Sequence, residues 1–229
     1  KFVDDKTLLI VSSYSGNTEE TISAYKDGVK KKSNILCITS NGEIEKMALK
    51  KKHPVIKIPS GYPPRAALGY SFFPLLVLFS KLGLIKSKKR EINETINLVE
   101  EKSKIYSNPE HEENIAYKIA LRVVGSLPFI YACGKFDAVA MRWVCQIEEN
   151  AKMLAHFNVF PEMNHNEIVG WSGEVGGSFK EITSKISVII LRDDGEYERV
   201  KYRIEITDEL MRPYASEVLN IFSEGKSLL

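Results

Sequence analysis

The sequence predicts an α/β protein built on doubly wound parallel sheets. Three observations lead there: near-continuous apolar runs of strand length, helical apolar spacing between them, and their alternation within about fifty residues. "TLLIVSS" (Thr7–Ser13) is an apolar run bounded by Gly16, the pattern of a buried parallel strand. "NTEETISAYKDGVKKK" follows, with Ile22, Tyr25 and Val29 at helical spacing. "NILCITS" (Asn34–Ser40) is a second strand, "EIEKMALKK" a second helix and "HPVIKIP" (His53–Pro59) a third strand. Right-handed crossovers are expected between them.

Further along, residues 66–85 read as an apolar helix and residues 90–106 as a charged one. "HEENIAYKIALRVVGS" gives a helix ending near Gly125. "LPFIYACG" (Leu127–Gly134) restarts the strand pattern, and "FDAVAMRWVCQIEENAKMLA" reads as one long helix. "ISVIILR" (Ile186–Arg192) is another buried strand, and "SEVLNIF" (Ser216–Phe222) is the last. The expected organisation is a first α/β domain at 1–88, a helical linker at 89–125 and a second α/β domain at 126–229. The chain opens on Lys1 rather than Met and closes on "SEGKSLL", which reads as the first turn of a helix. Both ends therefore read as cuts through structure, and the chain as a fragment.

Composition narrows the function classes. With 44% apolar and 27% charged residues the chain is that of an ordinary globular protein, and a net charge of +2 argues against a nucleic-acid binder relying on a broad basic field. Runs such as Lys30-Lys31-Lys32 and Lys50-Lys51-Lys52 read as solvated helix ends. Cys37, Cys133 and Cys145 are odd in number and widely spaced, which suits reduced thiols in a cytoplasm rather than a disulfide framework or a zinc site. The apolar stretch Ala66–Phe79 contains Pro74 and falls short of a membrane span.

The densest polar signal is "IVSSYSGNTEET", which places Ser12, Ser13, Ser15 and Thr18 where the first strand hands over to a helix. In an open α/β sheet ligands lie beyond the carboxyl ends of the strands, and free N–H groups at a helix start attract anions. A cap would explain part of it: Asn17 to Glu20 fits a capping box, and Ser15 or Asn17 alone would serve. A cap needs one hydroxyl, and this loop offers four. The stretch resembles the phosphosugar-binding loop of sugar-isomerase (SIS) domains. That resemblance implies that Ser13, Ser15 and Thr18, with Ser12 adjacent, hold the phosphate of a sugar phosphate.

Two further stretches carry chemistry-bearing side chains. "SGYPPRAALGY" sets Arg65 just after the third strand, stiffened by Pro63 and Pro64. "QIEENAKMLAHFNVFPEMNHNEIVGW" holds Glu148 and Glu149 in what reads as an apolar helix, then His165 and Glu167 in a loop. Each has an ordinary reading as well: an arginine stem packed over a domain edge, two acids on a helix surface, a polar loop histidine. Taken in order, "SSYSGNTEET", "PPRAALGYSFFPLL", "ENAK" and "FPEMNHNE" resemble the bifunctional phosphoglucose/phosphomannose isomerases, a family of SIS fold.

This resemblance implies two SIS-type, flavodoxin-like domains, the first truncated at its N-terminus and the second lacking closing helices. It implies interconversion of glucose 6-phosphate, and of mannose 6-phosphate, with fructose 6-phosphate through a cis-enediolate. Glu149 would be the base over C1 and C2, His165 would open the ring, and Arg65 would stabilise the enediolate. Burial in its helix would raise the Glu149 pKa toward neutrality, with Glu148 a bystander. It also implies a homodimer in which His165 is donated across the interface, although the spacing of Glu149 and His165 alone would let both serve one site. No cofactor is expected, and no metal, since no His, Cys or Asp cluster has ligand spacing. A non-catalytic SIS-type sensor, or an SIS isomerase for another sugar phosphate, remains an alternative. The sensor would have no use for Glu149, His165 and Arg65 together, and the helix-turn-helix it would normally carry is not found.

Overall fold

The computed structural model describes residues 2–171, 179–227 and 229. The chain divides into two compact units, the boundary falling between Asn93 and Glu94.

The first unit holds a three-stranded parallel sheet in the order β1-β2-β3, made of β1 (Leu8–Ser12), β2 (Asn34–Thr39) and β3 (Val55–Lys57). Helices α1 (Glu19–Lys30) and α2 (Gly42–Lys51) make the crossovers. Val11, Ile35 and Cys37 pack on one face against Tyr25 of α1 and Ile44 and Ala48 of α2. Leu36 and Ile38 alternate onto the other face of β2 and are buried as well. A central strand covered on both faces has to be apolar throughout, which is why its run is the plainest in the sequence. The third strand is shorter than its apolar run because Pro54 and Pro59, which flank it, carry no N–H for the ladder. After a 3-10 turn at Pro64–Ala66 comes α3 (Leu68–Lys81). None of its residues is buried, and Leu68, Phe72 and Val77 are exposed.

Most of α4 (Lys89–Tyr106) lies in the second unit, followed by α5 (Ile115–Val123). Asn114 sets the start of α5: its Oδ1 accepts from the Tyr117 N–H at 2.9 Å, while its amide donates to the carbonyls of Tyr106 and Asn108. The sheet here has the order β5-β4-β6-β7, all parallel, from β4 (Leu127–Cys133), β5 (His156–Phe160), β6 (Ile186–Arg192) and β7 (Glu217–Phe222). Helices α6 (Asp137–Gln146), α7 (Glu167–Trp171), α8 (Phe179–Thr183) and α9 (Glu198–Met211) complete the unit. Every residue of β6 is buried, and its side chains alternate between two cores. Val188 and Ile190 join Tyr131, Trp171, Ile204 and Met211 on one face. Ile189 and Leu191 join Ile130, Ala132, Ala140 and Leu219 on the other. The chain is thus α/β with parallel sheets, as its sequence pattern requires.

Four local features differ from the sequence expectation. The predicted long helix stops as α-helix at Gln146 and widens into a single π turn, Ile147–Ala151, closed by Lys152 at φ 59. Strand β5 falls in a stretch that reads as merely polar, because His156 and Asn158 sit on its covered face. Helix α9 gives a weak pattern, since its fully covered residues are only Ile204, Thr207 and Met211. Residues 223–227 are irregular rather than a first helical turn, with Gly225 at φ 114, far outside helical geometry.

Candidate active site

The hydroxyl loop joins β1 to α1 at the carboxyl edge of the first sheet. Its glycine is compelled by sterics: Gly16 has φ 68, and a Cβ there would lie 1.8 Å from the Asn41 carbonyl oxygen. Facing it, Gly42 has φ 87, and its Cβ would fall 2.3 Å from the Ser15 carbonyl oxygen. The β1–α1 and β2–α2 loops therefore interlock backbone to backbone. Ser40 N–H donates to the Tyr14 carbonyl at 3.1 Å, and Ile44 N–H to the Gly16 carbonyl at 2.9 Å.

The hydroxyls are not used as caps. The N-cap of α1 is Thr18, rather than Ser15 or Asn17, and no side chain accepts from the first-turn N–H groups. Thr18 Oγ1 instead lies 2.9 Å from Ser13 Oγ, which also accepts the Gly16 N–H at 3.1 Å. The expected capping box is absent because Asn17 Oδ1 is engaged elsewhere, accepting from the Glu43 N–H at 3.0 Å. Ser15 Oγ accepts the Asn17 N–H at 3.2 Å, and Ser12 ends β1 with its side chain exposed. Ser13 is buried while Ser15 and Thr18 are exposed, so a buried hydroxyl orients one that faces solvent. The α1 N-terminus keeps first-turn donors that no side chain caps and its positive dipole, which attract an anion against the negative charge of Glu19 and Glu20 in the same turn.

Arg65 sits at the same edge. It is half-buried in the 3-10 turn Pro64–Ala66, entered from Pro63 in extended geometry. Tyr62 N–H donates to the Tyr14 hydroxyl at 2.9 Å, and the Tyr62 and Tyr70 rings meet at a tilt of 41° with centroids 5.6 Å apart. Tyr14, which is in the hydroxyl loop, thus ties the arginine turn to it; the sequence gives no signal of this link.

In the second unit the two other predicted residues stand on opposite sides of the sheet. Glu149 lies in the π turn after α6, whose Trp143, Val144 and Ile147 pack on the Ile130–Ile189 face. His165 ends a 3-10 turn, Glu162–His165, whose Met163 is buried in the Tyr131–Val188 face. The structure does not gather these two onto one face of one unit. Burial of Glu149 is not found either: Glu148 and Glu149 are both exposed. The core-facing stripe runs through buried Ala140 and half-buried Trp143 and Val144 of α6 to half-buried Ile147 of the π turn, and both acids fall off it. Lys152 Nζ donates to the Glu149 carbonyl at 2.7 Å, fastening the end of the turn.

One acidic residue that the sequence presents only as a loop member is instead half-buried and hydrogen-bonded through both oxygens. Glu167 Oε1 accepts from the Tyr131 hydroxyl at 2.5 Å, and Oε2 accepts from His156 Nε2 at 3.1 Å and from the Asn158 amide. Trp171 Nε1 donates to the same Tyr131 hydroxyl at 3.2 Å. Burial pushes the Glu167 pKa up, but the bonds from His156, Asn158 and Tyr131 outweigh it and hold the carboxyl below its ordinary value. Burial beside this carboxylate drives the Tyr131 phenol far up. Alternation along β5, with polar residues two apart facing a carboxylate, is the one trace of this cluster in the sequence. Among the described residues no group of three or more His, Cys, Asp and Glu is placed to hold a metal ion, and no helix is long and apolar enough to cross a membrane.

Comparison with known proteins places the chain in a family. The chain is 46% identical over its whole length to the bifunctional phosphoglucose/phosphomannose isomerase of Caldicellulosiruptor bescii, and 33% identical to that of Aquifex aeolicus, also over its whole length. In each case it spans 66% of the relative, about two thirds of that protein's length. Its fold is similar to that of the tagatose-6-phosphate ketose/aldose isomerase of Escherichia coli, with a TM-score of 0.67 at 16% identity over 99% of this chain and 60% of that one. Residues 112–229 match the model of the bacterial phospho-glucose isomerase C-terminal SIS domain, and the chain belongs to that family.

Proposed function

We propose that this chain is the larger part of an aldose–ketose isomerase that interconverts glucose 6-phosphate, and mannose 6-phosphate, with fructose 6-phosphate. Ser13, Ser15 and Thr18 bind the phosphate at the start of α1, with Ser12 beside them. Arg65, held at that edge by Pro63 and Pro64, carries positive charge toward the developing enediolate oxygen. Glu149 shuttles the proton between C1 and C2, and His165 moves the proton that opens the ring. The observation that carries this reading is the Ser13–Thr18 hydroxyl pair at a helix start whose first-turn N–H groups neither hydroxyl bonds. A helix-starting loop serving only structure would turn one of these oxygens onto a first-turn N–H.

The face-by-face separation of Glu149 from His165 within one unit supports a homodimer in which each site takes its histidine from the partner chain. The organisation into a first SIS domain at 1–88, a linker at 89–125 and a second at 126–229 belongs to the same proposal, as does a cytoplasmic setting.

The test uses the full-length protein with glucose 6-phosphate and with mannose 6-phosphate, following fructose 6-phosphate. Glu149→Gln should lower kcat by at least ~10²-fold, since general-base catalysis supplies about 10²–10⁴, while sugar phosphate binding persists. Turnover at the unsubstituted rate would remove Glu149 from the mechanism, and no fructose 6-phosphate from either sugar would end the isomerase reading.

A further inference from the structure

The chain leaves the carboxyl end of β5 at Phe160, turns, and by Glu167 has doubled back over Asn158 and His156 of the same strand. His165 rides on this return, two residues before Glu167. Its own side chain is exposed and packs into no core, so the backbone on either side has to set its direction. On the near side Met163 is buried, and the Asn164 amide donates to Thr207 Oγ1 of α9 at 2.9 Å. On the far side stands Glu167, bonded to Tyr131, His156 and Asn158.

We propose that Glu167 is a positioning residue for ring opening: its carboxylate clamps the return of the chain onto β4 and β5, and so fixes where the His165 imidazole points. This rests on the reading of His165 given above. Glu167 does not itself transfer the proton. Three donors occupy its two oxygens, and a carboxylate engaged in that way is a weak base. Nor is this a cheap way to fasten a short helix. The surrounding face is aromatic, with Phe129 and His156 ring centroids 4.5 Å apart and Phe129 and Trp171 6.0 Å apart. An apolar side chain would pack there without the cost of desolvating a carboxylate. What a carboxylate adds is direction, since each bond is short and angular. A shift of about 1 Å in a reacting group costs on the order of 10²-fold in rate.

The test separates ring opening from the later proton transfer in the full-length protein. Exchange between the α and β anomers of glucose 6-phosphate, followed by NMR, reads ring opening alone. Glu167→Gln should slow this exchange and kcat by at least ~10-fold with KM changed by less than ~2-fold, the mark of lost transition-state alignment. In a His165→Ala background the same substitution should have no further effect, because the group it aims is gone. Asn158→Ala, which removes one donor to the clamp, should show a smaller loss in the same direction, and carries the test if Glu167→Gln fails to fold. Unchanged anomer exchange in Glu167→Gln, or losses that multiply with His165→Ala, would overturn the proposal while leaving the role of His165 standing. Unchanged exchange in His165→Ala alone would instead sink the reading of that histidine, and this proposal with it.

Discussion

Thr18 shows how much one side chain's choice of partner decides. The same residue type at the same helix start can bond the first-turn N–H groups or turn away from them, and here it turns to Ser13. If the pair is a phosphate grip, Thr18→Ala removes one hydrogen bond to a charged group, which is worth about 1.5–3 kcal/mol. KM for glucose 6-phosphate should rise ~10- to 100-fold. Thermal stability should fall by less than the ~1 kcal/mol typical of a lost N-cap, because no N–H is being capped. The reverse pattern, a lower Tm with KM intact, would make the hydroxyl structural. Ser13, Ser15 and Thr18 were visible in the sequence as a cluster; which of them faces solvent, and which orients its neighbour, was not. Glu167 makes the same point from the other direction: its three donors come from two strands and were invisible as a set.

Among elements, the loops matter more than the strands they join. Gly16 and Gly42 lie far apart in sequence, yet each occupies space the other's loop would deny to any side chain. Gly16→Ala puts a methyl into the Asn41 carbonyl at a backbone angle that disfavours every L-residue. Left-handed geometry costs about 1–2 kcal/mol and overpacking another 1–3, so the loss should be about 2–5 kcal/mol in chemical or thermal unfolding. A loss below ~0.5 kcal/mol, the range of ordinary surface substitutions, would mean that the two loops are not interlocked. The element the sequence misrepresents most is α6. Its apolar stripe continues to Ile147 and suggests an unbroken helix, but the α-helix gives way to a π turn there; Glu149 is exposed in either geometry, since even a regular helix sets it about 200° round from Ile147. Period-3.6 reasoning cannot register that change, since it assumes one rise and one turn angle throughout.

For the whole molecule the sharpest question is whether one chain can furnish a site. Glu149 and His165 belong to elements on opposite faces of the second sheet. If partner chains exchange histidines, a mixture of full-length Glu149→Gln and His165→Ala proteins contains heterodimers with one site carrying both substitutions and one site intact. Random pairing of two inactive variants should then restore about a quarter of the unsubstituted activity. No recovery, with exchange between dimers verified, would place both residues of each site in one chain.

By itself the sequence determined the class of fold, because period-2 and period-3.6 apolar patterns are local properties that a short window contains. It also determined where the hydroxyls, the arginine and the acids would fall along the alternation of strands and helices. Tertiary structure alone decided which polar atoms meet: Ser13 with Thr18, Asn17 with Glu43, Glu167 with Tyr131, His156 and Asn158. The physical reason is that hydrogen bonding reaches only about 3 Å. Such partners are fixed by how loops and strands distant in sequence pack together, and a linear pattern does not carry that distance.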